Sequence, residues 1–418
     1  MPLLETRGVA SAKGFGFTAG AKRIVDWTRY LIIPNAPSVS LYTVTVPTRI
    51  SFLNKDTGTI DFTVQLSSSG ISYPPAAKLM RVGDWLYMWG NINTGTVYYF
   101  NIITGAYSGA LNLTPPGVAG CDIAVIGNNN NPLLPAKVVS ANRTEPGALV
   151  VTRWIHNNDT GTFTAETTTT LNGVFTSSNQ TGSSYSTPQI APMGTVDTNT
   201  GAWTYAGTIG YVGYDDYPGP TYTRWLVINA PYTGSIYTIA SNQTSDNFSR
   251  PAAATLDYDR AMLATLDNSY MRVASTGSTG NFISVQNNNA YSNGYIGAAL
   301  AGASGSRLML VMKYDLSGSD YLRNYWLLWS GGISPSLLQS EYTFGYNTNI
   351  TTVVQQGHTT TESVWTVASF AFNGINNVEV FRFSSTGGLT NYFPNLGALS
   401  GCMVDGSNYT SRIVNYGA

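Results

Sequence analysis

Charge is what this chain has least of. Only 10% of its residues are Asp, Glu, Lys or Arg, where a soluble domain usually carries about a quarter. With 21 basic and 22 acidic residues the formal net charge is −1, so no global field draws in nucleic acid or an anionic membrane surface, and neither is expected as a partner. The two cysteines, Cys121 and Cys402, cannot build a disulfide framework and lack C-x-x-C spacing for zinc, so they read as buried thiols. The two histidines, His156 and His358, have no companions at metal-ligand spacing, His156 beside a hairpin turn and His358 in a polar loop. No stretch approaches the roughly 18 apolar residues of a membrane span, and "MPLLETRGVASAKG" lacks the apolar core of a secretory signal. Neither membrane insertion nor secretion is therefore expected. The sequons at Asn142, Asn179, Asn242, Asn247 and Asn408 then follow from an Asn/Thr-rich composition. G-x-S-x-G, H-E-x-x-H and G-x-x-x-x-G-K-[ST] are all missing. The expectation is a protein that is not an enzyme and holds no cofactor or metal.

Glycine, tyrosine and hydrophobic residues are plentiful: 43 Gly, 27 Tyr and 43% hydrophobic. Apolar residues at i, i+3, i+4, i+7 do not persist beyond a turn, whereas short Val/Ile/Tyr/Trp/Thr runs recur between Gly, Asn and Pro clusters, which predicts an all-β chain. One unit keeps returning, an apolar strand, an Asn/Asp-Thr-Gly turn and a second strand. It is seen in "RISFLNKDTGTIDFTVQL" from Arg49, "DWLYMWGNINTGTVYYFNI" from Asp84, "ALVVTRWIHNNDTGTFTAE" from Ala148 and "TRWLVINAPYTGSIYTIA" from Thr223. It is looser in "VWTVASFAFNGINNVEVFRF" from Val364, and a half-unit, "VDTNTGAWTYAG", starts at Val196. Gly and Asn supply the positive φ that a hairpin loop needs. The spacing of about 45 to 70 residues suits four-stranded propeller blades with variable loops. The expected architecture is a β-propeller of six or seven blades over residues 46–418, after a separate N-terminal segment, 1–45. A β-sandwich pair and an elongated trimeric β-structure are the rival arrangements. Ring closure is expected from the ending "CMVDGSNYTSRIVNYGA" pairing with "LYTVTV" near residue 41, which could put Cys121 and Cys402 in neighbouring blades.

Carboxylates group in three places: Asp215 and Asp216 in "GYVGYDDYPGP", Asp257 and Asp259 in "TLDYDRAML", and Asp315 and Asp320 in "KYDLSGSDYLR". A glycoside hydrolase needs two carboxylates facing across a sugar, but Asp at strand ends and turns ordinarily caps backbone N–H groups. Tyr214, Asp215, Asp216 and Tyr217 form the best candidate contact surface, because tyrosines stack on sugar faces while carboxylates accept hydroxyl protons. The spaced ligands of a calcium loop are absent there. Most of the nine tryptophans fall inside apolar strand runs and read as core, Trp203 being the one expected to be partly exposed.

The first thirty residues carry Arg7, Lys13, Lys22, Arg23 and Arg29 against Glu5 and Asp26, a local charge of +3 ahead of a nearly neutral body. "LLETRGVASAKGFGFTAG" resembles the N-terminal segments of tail-associated bacteriophage virion proteins, which begin with a short Arg/Gly/Ser/Ala sequence running into Gly-Phe-Gly. The resemblance covers about twenty residues and does not reach the body. It implies a structural virion component, assembled in the host cytoplasm, present in several copies in a symmetric assembly and bound to other tail proteins. Lys13, Gly14, Phe15, Gly16 and Phe17 would be its partner-binding residues: glycines follow a partner's surface, phenylalanines fill pockets and the lysine meets an acidic rim. The body would then recognise a host surface glycan or act as a rigid building block. A polysaccharide-degrading depolymerase and a surface lectin are the alternatives.

Overall fold

The computed structural model describes the strands named below and the connecting residues 27–29, 55–59, 83–84, 102–106, 113, 134–136, 158–161 and 172, with side chains placed only between Trp27 and Asn172. A short 3-10 turn, Trp27–Arg29, leads into β1 (Tyr30–Asn35). β2 (Val44–Thr45), β3 (Arg49–Asn54), β4 (Ile60–Gln65) and β5 (Ser72–Tyr73) follow. β1, β3 and β4 make a three-stranded antiparallel sheet in that order, and β2 pairs with β5. The pairing of Tyr30–Asn35 with Arg49–Asn54 joins residues on both sides of position 45.

Six four-stranded antiparallel meanders come next among the described residues. The first is β6 (Lys78–Val82), β7 (Trp85–Asn91), β8 (Thr96–Asn101) and β9 (Tyr107–Asn112), and the second is β10 (Val118–Gly127), β11 (Lys137–Thr144), β12 (Ala148–Asn157) and β13 (Thr162–Leu171). The third comprises β14 (Gln189–Val196), β15 (Trp203–Asp215), β16 (Thr221–Asn229) and β17 (Tyr237–Thr244). The fourth has β18 (Ala252–Asp257), β19 (Arg260–Leu266), β20 (Tyr270–Ser275) and β21 (Ile283–Gln286). The fifth has β22 (Tyr295–Ala301), β23 (Arg307–Leu316), β24 (Ser319–Leu328) and β25 (Ser336–Thr343). The sixth has β26 (Asn349–Gly357), β27 (Ser363–Phe372), β28 (Ile375–Ser384) and β29 (Leu389–Phe393), and β30 (Arg412–Val414) ends the described chain.

From the second meander on, the leading strand of each adjoins the leading strand of the next, β10 beside β14, then β18, β22 and β26. β30 lies between β26 and β6, parallel to both, and so links the last meander to the first. Meanders arranged side by side through their leading strands are the β-propeller architecture expected from the sequence, and the quoted hairpins fall on β3–β4, β7–β8, β12–β13, β14–β15, β16–β17 and β27–β28. Closure differs from expectation. The chain's end pairs with Lys78–Met80 rather than with the stretch near residue 41, whose Val44–Thr45 is taken by Ser72–Tyr73. "LYTVTV" has suitable β propensity, but propensity does not choose a strand's partner, which is set by how the segments pack.

An antiparallel meander puts alternate connections at opposite ends. The first-to-second and third-to-fourth connections lie at one end, here the turn end; the second-to-third connection lies at the other, the loop end. Between the first two meanders Met80, Val82, Trp85, Tyr87, Val97, Tyr99, Leu113, Ile123, Val125, Ala136 and Val138 form one buried apolar layer, with Trp154 and Phe163 packed on it. Strands buried on both faces read as continuous apolar runs rather than alternating ones. "RLMLVMKY" in β23 has the same character.

Candidate functional site

The turn end is built from one repeated loop. Asn54, Asn101 and Asn157 each begin a turn in which the N–H of Gly58, Gly105 or Gly161 donates to that asparagine's carbonyl at 2.8 Å. The asparagine Oδ1 accepts from N–H groups two or three residues on, Asp56 at 2.9 Å, Ile103 at 3.0 Å and Asp159 at 2.9 Å. The three glycines have φ of 73°, 71° and 71°, a left-handed conformation that costs glycine nothing. At Gly161 a second reason holds: a Cβ there would lie 2.5 Å from the Trp85 ring.

Asp84 stitches the second and third of these turns to the entry of β1. Its Oδ1 accepts from Trp27 Nε1 at 2.9 Å and its Oδ2 from Asn158 Nδ2 at 3.2 Å, while its N–H donates to Asn158 Oδ1 at 3.1 Å. Its carbonyl accepts from Ile102 N–H at 2.8 Å, and neighbouring Trp85 Nε1 donates to Asn158 O at 2.7 Å. One residue thereby joins the entry to β1, the first meander and the second. Both of its carboxylate oxygens are engaged, so Asp84 serves as a staple.

Behind the staple, Tyr87 OH donates to Gly161 O at 2.6 Å and therefore accepts from His156 Nε2 at 2.7 Å, which places the imidazole proton on Nε2. His156 is 1% exposed, a core residue rather than the turn-side group its hairpin position suggests, because β12 turns it inward against Phe163, 5.1 Å away. Burial lowers its pKa to about 3 and pushes the Tyr87 phenol well above the usual range, with Tyr99 adding to the latter. Nδ1 has no partner. A neutral, water-excluded imidazole of this kind holds structure and does not exchange protons with a substrate. Asn142 is fully buried, which removes its sequon from modification.

The expected site residues fall as follows. Tyr214 and Asp215 end β15 at the loop end, opposite Thr223 and Tyr222. Asp315 faces Asp320 at the loop end of the fifth meander. Asp257 faces Arg260 at the turn end of the fourth. The backbone thus separates Asp257 from the other two carboxylate groups. Asp216, Tyr217, Asp259, His358, Cys402 and the segment Lys13, Gly14, Phe15, Gly16, Phe17 lie outside the described residues. Of the tryptophans, Trp27 and Trp85 are buried, and Trp154 is partly buried with Nε1 donating to Ser140 Oγ at 2.8 Å. Among the described residues no three His, Cys, Asp or Glu gather as metal ligands, and no helix is long and apolar enough to cross a membrane. The Asp84 staple and the Tyr87–His156 pair had no forewarning beyond the "GDW" and "IHNNDTG" turns, since each is made between meanders.

No family model matches this chain, and no curated protein matches it. Among solved structures it is similar to a putative 6-phosphogluconolactonase from Bacteroides uniformis at 18% identity, covering 88% of this chain and 97% of that one with a TM-score of 0.46. The WD40 domain of SCAP from fission yeast is similar at 7% identity, with coverage of 88% and 90% and a TM-score of 0.45. The Aleuria aurantia lectin, a six-bladed β-propeller with a fucose recognition mode, is similar at 12% identity, with coverage of 74% and 95% and a TM-score of 0.37. All three scores are low, and the architecture rests on the strand pairing above.

Proposed function

We propose that this chain is a non-enzymatic structural component of a bacteriophage tail, held in the particle by its N-terminal segment and recognising a host surface glycan through its propeller body. The observation that carries the reading is the way the short basic segment meets the body. Trp27 Nε1 donates to Asp84, Arg29 pairs with Asp56 at 3.2 Å and Arg29 O accepts from Lys55 N–H at 2.9 Å, so a tether before Trp27 would pull on a rigid disc. Lys13, Gly14, Phe15, Gly16 and Phe17 are the partner-binding residues of this reading, and several copies around a common hub would add avidity.

The body has seven blades in this reading, the N-terminal sheet being the seventh. Its middle strand is fully buried on both faces at Ser51, Phe52 and Leu53, as a blade between two others must be. The hydrogen bond from Lys55 N–H to Arg29 O has its counterpart in the first meander, from Ile102 N–H to Asp84 O. β1, β3 and β4 correspond by this match to second, third and fourth strands, and β30 lies where the missing inner strand belongs, between β26 and β6. Thr-Gly also recurs between third and fourth strands, at 57–58, 104–105, 160–161, 233–234, 279–280 and 386–387, in every unit but the fifth.

Electron microscopy of the full-length protein beside a version starting at residue 25 tests the reading. Seven-lobed discs in both, clustered about a hub only in the full-length sample, are expected. Elongated rods overturn the propeller, and clustering in both samples overturns the anchoring role.

A further inference from the structure

The third strands of three successive meanders start at the loop end with the same spacing: Tyr222-x-Arg224 in β16, Tyr270-x-Arg272 in β20 and Tyr321-x-Arg323 in β24. Residues two apart on a strand share one face of the sheet. The register carries the pattern into the fourth strands. Tyr222 stands opposite Gln243 and Arg224 opposite Ser241; Tyr270 stands opposite Gln286 and Arg272 opposite Ser284. Two neighbouring units, joined where β14 adjoins β18, therefore hold the same four residue types on one face at one end. In the fifth unit Thr343 and Glu341 take the facing positions, so Arg323 has a carboxylate directly opposite it; Arg224 stands between Gly213 and Ser241 and Arg272 between Thr265 and Ser284, with Asp215 one pair nearer the strand end, opposite Tyr222.

The same end of the second meander shows what an ordinary blade places there. Ala148, Leu149, Val150, Val151 and Leu171 are buried there, Thr167, Thr168 and Thr170 of the fourth strand are exposed, and the arginine of that third strand, Arg153, comes further along and pairs with Glu166. Against that background, two neighbouring units repeat Tyr, Arg, Gln and Ser in register. A guanidinium offers a planar fork of donors suited to carboxylate, Gln and Ser both donate and accept, and a tyrosine ring gives an apolar face with a polar tip. Together these groups match a sugar that carries hydroxyls and a carboxylate.

We infer that Tyr222, Arg224, Ser241 and Gln243, with Tyr270, Arg272, Ser284 and Gln286, form two equivalent subsites for an acidic polysaccharide running across the third and fourth meanders. This rests on the glycan-recognition reading above and names its ligand class. Repeated subsites on adjacent units suit a repeating polymer, because the second contact forms at the high effective concentration set by the first.

The test uses the full-length chain on an array of immobilised polysaccharides: polysialic acid, polygalacturonate, alginate, bacterial capsules and O-antigens of known charge, and neutral dextran. Calorimetry with oligosaccharides of whichever spot binds then counts the sites. Binding to carboxylate-bearing polymers is expected, with two sites per chain falling to one in Arg224→Ala or Arg272→Ala and none in the double variant. Arg→Lys at both positions should retain part of the affinity. If the alanine variants lose their circular dichroism spectrum, Gln243→Ala and Gln286→Ala replace them, each expected to weaken binding by about tenfold. Undiminished binding by a folded double variant, or binding to neutral polymers alone, overturns these subsites and leaves glycan recognition standing. A folded protein that binds nothing on the array overturns both.

Discussion

The second and third meanders share a backbone plan and differ in what they do with one end of it. In the second, the third strand starts from the loop end with buried aliphatic side chains beside the exposed threonines of the fourth, and the turn end is closed by asparagine and aspartate groups that satisfy one another. In the third, the loop end carries Tyr214, Asp215, Tyr222, Arg224, Ser241 and Gln243 in register. A hairpin ladder needs only backbone groups, so the residues at strand ends are free to vary. A propeller can therefore keep its frame in one blade and present chemistry in the next.

Four experiments would break or sharpen that contrast. Removing residues 407–418 takes away β30, the only described link between β26 and β6, and should cost on the order of 3 kcal/mol or more by urea denaturation. A shortened chain as stable as the full one would show that the ring does not need its clasp. Gly161→Ala, forced to a φ of 71° against the Trp85 ring, should cost about 3 kcal/mol, against about 1 kcal/mol for Gly105→Ala, where only the φ resists. Equal losses would mean that the packing of the second meander on Trp85 is unimportant.

His156 makes the contrast sensitive to pH. The unfolded imidazole takes a proton below about 6.5 while the folded one stays neutral to about 3. Unfolding therefore takes up a proton in that window. This contribution is complete above pH 6.5 and is lost as the pH falls toward 3, at about 1.4 kcal/mol per pH unit. His156→Gln should flatten that dependence in melting curves recorded from pH 7 to 4, and an unchanged slope would place the acid sensitivity elsewhere. The smallest effect belongs to Glu166, whose carboxylate lies 3.4 Å from Lys137 Nζ and 2.5 Å from Arg153 Nε, the latter off the line needed for a hydrogen bond. Such partly exposed pairs contribute little, so Glu166→Ala should change stability by under about 1 kcal/mol. A larger loss would make the edge strand β13 part of the closed frame.

Much of the frame was legible in the chain itself. Turns such as "NKDTGT" and "NNDTGT" announce hairpins because Asn can bond the backbone two residues on and Gly accepts a positive φ, both properties of the residues alone. Tyr214 and Asp215 could be singled out as a candidate contact surface from their Pro/Gly setting. Their neighbours Arg224, Ser241 and Gln243 could not, for strand register is set by pairing between segments.

Local chemistry therefore determined, unaided, that this protein is all-β, made of repeated hairpins, almost uncharged and headed by a short basic segment, since each of these depends on residue type or on neighbours a few positions away. Only the tertiary structure decided where the ring is joined, that Asp84 staples three elements, that His156 is neutral and buried, and which tyrosines, arginines and glutamines share one end of neighbouring sheets. Each of those depends on contacts between residues far apart in the chain, fixed when the meanders pack side by side.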